Sequence, residues 1–175
     1  MIEWIQNVDW AILHWIRDTL QCGVMDFLMS KITALGNGGA VWIVTAAAMT
    51  VSKKYRKHGI AMFAALVGNV CLKHLVARSR PCWLESVPLL ITNPTDYSFP
   101  SGHTLSSVIG VFMLTAANRK FGLPAIPLAA LIGFSRLYLY VHFPSDVLAS
   151  VVIGVWIGIT AVWGVKRSCN DSPLD

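Results

Sequence analysis

Charged side chains are scarce in this chain of 175 residues. They make up 13% of it, roughly half of the ~25% found in an average soluble domain. Hydrophobic residues make up 55% and form several long apolar runs, where a membrane-spanning helix needs about 20 such residues. This composition excludes an ordinary soluble domain. The net charge of +5 lies mostly in short loops, which favours lipid contact and not nucleic-acid binding.

Cysteines are few and lack the spacing of a metal site. A free thiol is the expected state of Cys22 and Cys82, although a pairing between them on one side of the membrane stays open. No acidic cluster suited to magnesium or zinc occurs, so we expect no metal and no cofactor. The N-terminus also lacks a basic segment followed by an apolar core, so no cleaved signal peptide is expected.

Residues 1–21 alternate between apolar and polar positions at three- and four-residue steps. This pattern predicts an amphipathic helix that lies flat on the membrane interface, packs against other helices, or does both. We expect residues 24–35 to continue this segment past Gly23. The apolar positions of the helix are Ile2, Ile5, Val8, Ile12, Trp15, Ile16 and Leu20.

Five apolar stretches follow, and they predict an all-α fold. We expect an integral membrane helical bundle of five to six transmembrane helices, with the N-terminal amphipathic helix at the interface. A single domain would cover residues 1–175, divided into the N-terminal segment 1–35, a transmembrane core 36–167 and a tail 168–175. The predicted spans are residues 38–51, 60–76, 104–117, 123–140 and 147–165.

Basic residues concentrate in three places, at 53–58, 118–120 and 166–167. All three fall on one side of the predicted bundle, which the positive-inside rule makes cytoplasmic. The opposite side receives the loop 77–103 and the turn 141–146. We therefore expect a multi-pass membrane protein whose polar site faces outward.

The residues on that outer side suit a phosphate dianion. Lys73 and Arg80 are two helical turns apart, so they share a face if their helix continues to Pro81. Arg136 adds a third cation, and guanidinium groups match phosphate oxygens. The segment Pro100-Ser101-Gly102 begins an apolar helix, where backbone N–H groups and the helix dipole favour an anion.

Two histidines add chemistry to this anion site. His103 and His142 supply a nucleophile and a proton donor, because imidazole titrates near neutral pH. Asp146 follows His142 by four residues and is placed to hold the proton on one ring nitrogen. The other nitrogen is then free to attack phosphorus.

Each of these residues also has a structural explanation. Lys73 can extend its amine to the interface, and Arg80 and Arg136 can contact headgroups. Ser101 can be a helix cap, Gly102 a bend, and Asp146 a first-turn acid. We expect Arg78 to be solvated or headgroup-facing, outside the site. The remaining histidines are expected to be structural: His14, His58 and His74.

Three motifs in order resemble those of the type 2 phosphatidic acid phosphatase superfamily. They are KHLVARSRP at 73–81, PSGH at 100–103 and SRLYLYVHFPSD at 135–146. All fixed positions match, and the set is far more specific than any one motif. The small size is similar to that of compact bacterial lipid phosphatases in this superfamily.

The resemblance implies metal-independent hydrolysis of a phosphate ester or diphosphate through a phosphohistidine. It makes His142 the nucleophile, Asp146 its partner, and His103 the acid and then the base. It assigns phosphoryl binding to Lys73, Arg80, Ser101, Gly102 and Arg136, with supporting roles for Pro81, Pro100 and Ser135.

The resemblance also implies a membrane lipid phosphate as substrate and a bacterial inner membrane as location. Undecaprenyl pyrophosphate, phosphatidylglycerophosphate and phosphatidic acid all fit. A lipid phosphotransferase with the same intermediate and a non-enzymatic lipid transporter or scramblase are the alternatives. The oligomeric state stays open.

Overall fold

The structure, a computed structural model, describes residues 2–72 and 76–170, which form helices joined by turns and loops, with no strand among them. Side chains are described for these residues except 2, 68–72, 169 and 170. The helices in chain order are α1 (Ile2–Leu20), α2 (Gly23–Leu35), α3 (Ala40–Val51), α4 (Arg56–Leu72), α5 (Pro81–Leu84), α6 (Gly102–Ala117), α7 (Arg119–Tyr138) and α8 (Pro144–Asn170). The all-α prediction is confirmed for this part of the chain.

Three described stretches are long and apolar enough to cross a membrane: Gly23–Val51, Arg119–Tyr138 and Pro144–Ser168. Gly102–Ala117 is a shorter apolar helix. The first stretch joins α2 to α3 through one 3-10 turn at Asn37–Gly39. Residues 24–35 therefore belong to a candidate span and not to a purely interfacial segment. Gly38 and Gly39 have φ of 58° and 73°, a conformation that lets the chain bend and continue.

Helix α6 forms the centre of the bundle. Leu105, Ile109 and Met113 recur every four residues and are fully buried, as one face of a helix requires. Trp42 of α3 packs over this face, and its indole N–H donates to Ser107 Oγ at 2.9 Å. The core therefore fixes the start of α6, where the predicted site begins.

Helix α1 packs against the bundle through a narrow side that includes Leu13 and Ile16, both buried. Five other apolar residues of the helix are exposed, which suits contact with lipid. They are Trp4, Ile5, Val8, Ile12 and Trp15. Both placements considered for this helix, interfacial and packed, are compatible with this arrangement.

The basic loops meet at one end of the bundle, as predicted. Lys57 Nζ donates to the carbonyl of Ser168 at 2.9 Å, and the rings of Tyr55 and Phe121 lie 6.1 Å apart. The loop after α3, the start of α7 and the end of α8 are thus neighbours. The starts of α6 and α8 and the end of α7 lie at the opposite end.

Candidate active site

His142 and Asp146 lie together at the start of α8. Their side chains are 1% and 0% exposed, and Nδ1 of His142 is 3.7 Å from Oδ2 of Asp146. Ser98 connects them: its hydroxyl donates to Oδ2 at 2.5 Å, and its oxygen is 3.4 Å from Nδ1. The N–H of Phe143 donates to the same carboxylate oxygen at 2.9 Å. The predicted pairing is thus present, with a serine bridge that the sequence did not predict.

The tautomer of His142 follows from its other neighbour. Nη1 of Arg80 lies 3.1 Å from Nε2 of His142, and a guanidinium can only donate. Nε2 is therefore the lone-pair nitrogen, and Nδ1 carries the proton toward Ser98 and Asp146. Burial lowers the pKa of His142 well below its ordinary value, and the charges of Arg80 and Arg136 act in the same direction. The neutral ring that a nucleophile needs is the stable form.

Arg80 is buried beside this ring and holds several parts of the site together. It donates to the carbonyl of Val141 at 2.6 Å and to the carboxylate of Asp96 at 2.8 Å. It does not reach this position on a helix, because residues 77–80 are not helical. The prediction that one helix carries Arg80 and ends at Pro81 is wrong. Pro81 instead begins α5, where its missing N–H costs nothing.

Arg136 brings a second buried guanidinium to the end of α7. The residue is 3% exposed, and its Nη1 donates to Thr33 Oγ1 of α2 at 2.5 Å. Its Nε has no hydrogen-bond partner among the described residues. A buried cation with an unsatisfied donor is costly, so this group is suited to an anion. Its carbonyl also accepts from the N–H of His142 at 3.3 Å, which ties α7 to the histidine.

His103 occupies the first turn of α6 and faces the bend between α2 and α3. Its Nε2 lies 3.1 Å from Oδ1 of Asn37. Ser101, two residues earlier, is fully buried, and its N–H donates to Ser150 Oγ at 2.7 Å. The Ser101 N–H is therefore already paired, contrary to the expectation of a free donor at this helix start. Its hydroxyl accepts from Thr104 at 3.1 Å.

A cavity of about 400 Å³ opens beside His103. Its lining includes the polar residues Asp96 and His103, the backbone of Gly102, and apolar residues of α3 and α4. Asp96 belongs both to this cavity and to the contact with Arg80, so the cavity leads to the group that touches His142. The apolar lining comprises Ile43, Phe63, Leu66 and Val67.

Arg78 is part of the site, and the expectation that it is solvated is wrong. Its side chain is 22% exposed, and Nη1 is 2.5 Å from Oδ1 of Asp146. It also pairs with Asp9 of α1 at 2.8 Å. Helical spacing cannot predict this contact, because residues 77–80 are not helical and Asp9 is distant in the chain.

The remaining predicted residues have simpler positions. Ser135 is buried in α7, where its hydroxyl donates to the carbonyl of Ile132 at 2.7 Å, and Pro100 is buried before α6. Lys73 lies outside the described residues. Cys22 and Cys82 are free. Within the described part of the chain, no group of three or more His, Cys, Asp or Glu residues could hold a metal ion.

The family model described as the PAP2 superfamily matches residues 54–169, which include all three motifs. The chain belongs to the PAP2 superfamily. This confirms the resemblance that the motifs carried.

Several relatives of this PAP2 chain have names that state an activity. An undecaprenyl-diphosphatase of Sulfolobus acidocaldarius is 36% identical over 128 residues, 70% of this chain and 62% of that protein. The undecaprenyl-diphosphatase BcrC of Bacillus subtilis is 34% identical over 139 residues, 77% of this chain and 72% of that protein. Phosphatidylglycerophosphatase B of Bacillus subtilis is 28% identical, covering 87% of this chain and 71% of that protein. These relatives are named as phosphatases or diphosphatases, which are hydrolases. The predicted enzyme class, a hydrolase, is confirmed.

Two solved structures share the fold. The transmembrane PAP2-type phosphatidylglycerolphosphate phosphatase of Bacillus subtilis has a TM-score of 0.73 at 24% identity and covers 94% of this chain and 87% of its own. LpxE of Aquifex aeolicus has a TM-score of 0.72 at 27% identity, with 87% and 93% covered. The PAP2 membrane fold therefore extends beyond residues 54–169.

Proposed function

We propose that this PAP2 protein hydrolyses a lipid phosphate or diphosphate through a phosphohistidine at His142. The observation that carries the proposal is the state of that ring. It is buried and neutral, its Nε2 lone pair points at the buried guanidinium of Arg80, and its Nδ1 faces the Ser98–Asp146 bridge. A nitrogen lone pair beside an anion-binding cation is what attack on a phosphoryl group requires.

In the first step, Nε2 of His142 attacks phosphorus and the bond from phosphorus to the leaving oxygen breaks. His103 gives its proton to that oxygen. In the second step, His103 takes a proton from water, the water oxygen bonds to phosphorus, and the P–N bond breaks. Inorganic phosphate leaves and His142 returns to its neutral form.

The cations neutralise the phosphoryl oxygens in this scheme, without a metal ion. Arg80 and Arg136 are the described groups that fit, since the first touches the nucleophile and the second has an unsatisfied donor. Lys73 joins them through the family motif. Three positive charges suit the charge that spreads over the transferring phosphoryl oxygens.

The cavity beside His103 supports a lipid substrate. His103, the proposed acid, lines this cavity, and its apolar lining by Ile43, Phe63, Leu66 and Val67 fits the lipid chain attached to a phosphate. Relatives named for undecaprenyl diphosphate favour a polyprenyl diphosphate as the substrate. One relative is named for phosphatidylglycerophosphate, which is the second substrate to test.

The site lies at the end of the bundle opposite the basic loops. By the positive-inside rule those loops are cytoplasmic, so the proposed reaction occurs at the outer face of the cell membrane. In a protein whose native cysteines are replaced by serine, a cysteine introduced in the exposed loop, at Ser86→Cys, should then react with a membrane-impermeant maleimide added to intact cells.

Phosphate release from a panel of polyprenyl and glycerolipid phosphates in detergent tests the function. We expect release without added metal and in EDTA, and a loss of at least about 10³-fold in His142→Ala. His58→Ala, at the basic end, is the matched control and should keep its turnover. Near-normal turnover in His142→Ala, or a phosphorylated lipid product in place of free phosphate, would contradict the proposal.

A further inference from the structure

Helix α1 carries one acidic residue that does not fit its role as an interfacial helix. Asp9 is 2% exposed and lies on the packed side of the helix, which also carries Leu13. Its carboxylate accepts from the N–H of Ser145 at 2.8 Å and from the Ser145 hydroxyl at 2.5 Å. Asp9 is therefore inserted at the first turn of α8, one residue from Asp146.

A single guanidinium joins this carboxylate to Asp146. Nη2 of Arg78 is 2.8 Å from Asp9, and Nη1 is 2.5 Å from Oδ1 of Asp146. Nη1 also donates to Ser145 Oγ at 2.7 Å, and the guanidinium carbon lies 4.2 Å from the centre of the Phe143 ring. The two ends of one planar fork thus hold the two carboxylates in fixed positions.

The charges of Asp9, Arg78 and Asp146 together determine how much negative charge Asp146 presents to His142. Asp9, Arg78 and Asp146 carry −1, +1 and −1, which sum to −1. With Asp9 present, the charge of Arg78 is balanced and the negative charge of Asp146 is left for His142. Without Asp9, Arg78 and Asp146 would neutralise each other. His142 would then lack a counter-charge when phosphorylation makes its ring positive.

We propose that Asp9 is a positioning residue of the active site, which acts through Arg78 to orient Asp146 and keep its charge available to His142. This inference rests on the proposed role of His142 and goes beyond it. Asp9 lies outside residues 54–169, the part that matches the PAP2 family model. The N-terminal helix is thereby assigned to the catalytic unit and not only to the membrane surface.

The test compares Asp9→Asn with Asp18→Asn. Asp18 is an acid on the same helix with a side chain that is 69% exposed, and it makes a matched control. Steady-state release of phosphate and rapid-quench formation of phosphoenzyme are measured on folded protein in the same detergent. We expect Asp9→Asn to lower kcat and the rate of phosphoenzyme formation by about tenfold or more, with KM within about twofold, because substrate binding is not affected. Asp18→Asn should match the unmodified protein.

Two further variants show whether the effect passes through Arg78. Arg78→Lys keeps the charge but cannot bridge two carboxylates, so kcat should fall while KM is kept. In an Arg78→Lys background, adding Asp9→Asn should cost much less than it does alone. Asp9→Glu, which keeps the charge, should be more active than Asp9→Asn.

Several results would overturn the inference. One is a folded Asp9→Asn protein with the kcat of Asp18→Asn, and another is an effect of Asp9→Asn that is equally large in the Arg78→Lys background. If Asp9→Asn does not fold, a folded Arg78→Lys protein with unchanged kcat overturns it. The His142→Ala variant separates the two proposals. Near-normal turnover in that variant contradicts the phosphohistidine. An inactive His142→Ala protein together with an unchanged kcat in Asp9→Asn contradicts only the role of Asp9.

Discussion

A methyl group added at Gly36 would lie 2.6 Å from Cδ2 of His103. The His103 ring, the proposed acid and base, therefore packs directly against the backbone at the end of α2. Its Nε2 is within hydrogen-bond distance of Oδ1 of Asn37. Gly36 has φ of −88° and ψ of −6°, which alanine also adopts. The glycine is needed here for space and not for its backbone conformation.

Gly36→Ala should therefore displace the His103 ring while the helix stays intact. A misplacement of about 1 Å can cost about 100-fold in rate, so we expect kcat to fall by about 10- to 100-fold. The expected loss lies in the protonation of the leaving oxygen and the hydrolysis of phosphoenzyme, which rapid quench separates from binding. Gly23→Ala, where nothing lies within 4 Å of the new methyl, is the control. Equal kcat in both variants would show that the ring has room to move.

Ser98→Ala removes the hydroxyl between Nδ1 of His142 and Asp146. The direct distance of 3.7 Å is too long for a hydrogen bond, so the ring would lose the hydroxyl that links its Nδ1 to Asp146. A hydrogen bond to a charged group is worth about 1.5–3 kcal/mol, or about 10- to 100-fold in rate. Phosphoenzyme formation should slow by this factor, as measured by rapid quench. Ser86→Ala in the same loop should have no effect, and an unchanged rate in Ser98→Ala would mean that Asp146 acts alone.

Arg136→Lys replaces a planar guanidinium, which has several hydrogen-bond donors in fixed directions, by a compact ammonium group. We expect inhibition by orthovanadate or inorganic phosphate to weaken by about tenfold, because the unsatisfied Nε has no equivalent in lysine. Arg119→Lys at the basic end serves as the comparison. Unchanged inhibition in Arg136→Lys would place the anion away from the end of α7.

The lowered pKa of His142 predicts how stability changes with pH. The folded protein keeps this ring neutral, whereas the unfolded chain takes up a proton below about pH 6.5. Stability from this residue is therefore fully present above pH 6.5 and is lost as the pH falls toward the folded pKa.

One proton taken up only on unfolding costs about 1.4 kcal/mol per pH unit in this window. Unfolding measured in detergent between pH 7 and pH 5 should show this slope as the difference between the unmodified protein and His142→Gln. Parallel pH profiles in the two proteins would contradict a neutral, buried His142.

The third motif was predictable because its spacing is local. His142 and Asp146 are four residues apart at a helix start, a separation that brings side chains onto one side. Ser98 could not be predicted in the same way. It reaches Asp146 across 48 residues of chain, and nothing in its sequence neighbours distinguishes it from an ordinary loop serine.

Arg78 and Arg80 show where periodicity fails. The seven-residue spacing of Lys73 and Arg80 suggested a continuing helix and left Arg78 outside the shared face. The described chain is not helical at 77–80, and Ala77 has φ of 49°, so helical spacing carries no information there. Both arginines reach His142 or Asp146 from this extended segment.

The sequence predicts a helix in the N-terminal segment, which α1 confirms, but it does not predict the contacts that this helix makes with the rest of the bundle. Its apolar pattern describes the side that faces away from the protein, and this side dominates the sequence signal. The packed side is narrow and includes the polar Asp9, whose purpose depends on Arg78, 69 residues later. A contact of this kind cannot be read from the periodicity of one helix.

The exposed apolar side of α1 and the buried Asp9 belong to the same helix. The lipid or detergent that surrounds Trp4, Ile5 and Trp15 therefore affects the depth and tilt of α1, and with them the position of the Asp9 carboxylate relative to α8. A detergent micelle and a lipid bilayer orient α1 differently, so turnover should depend on the solubilising medium even at equal substrate concentration. The lipid or detergent around α1 would then affect the proposed chemistry through the position of Asp9.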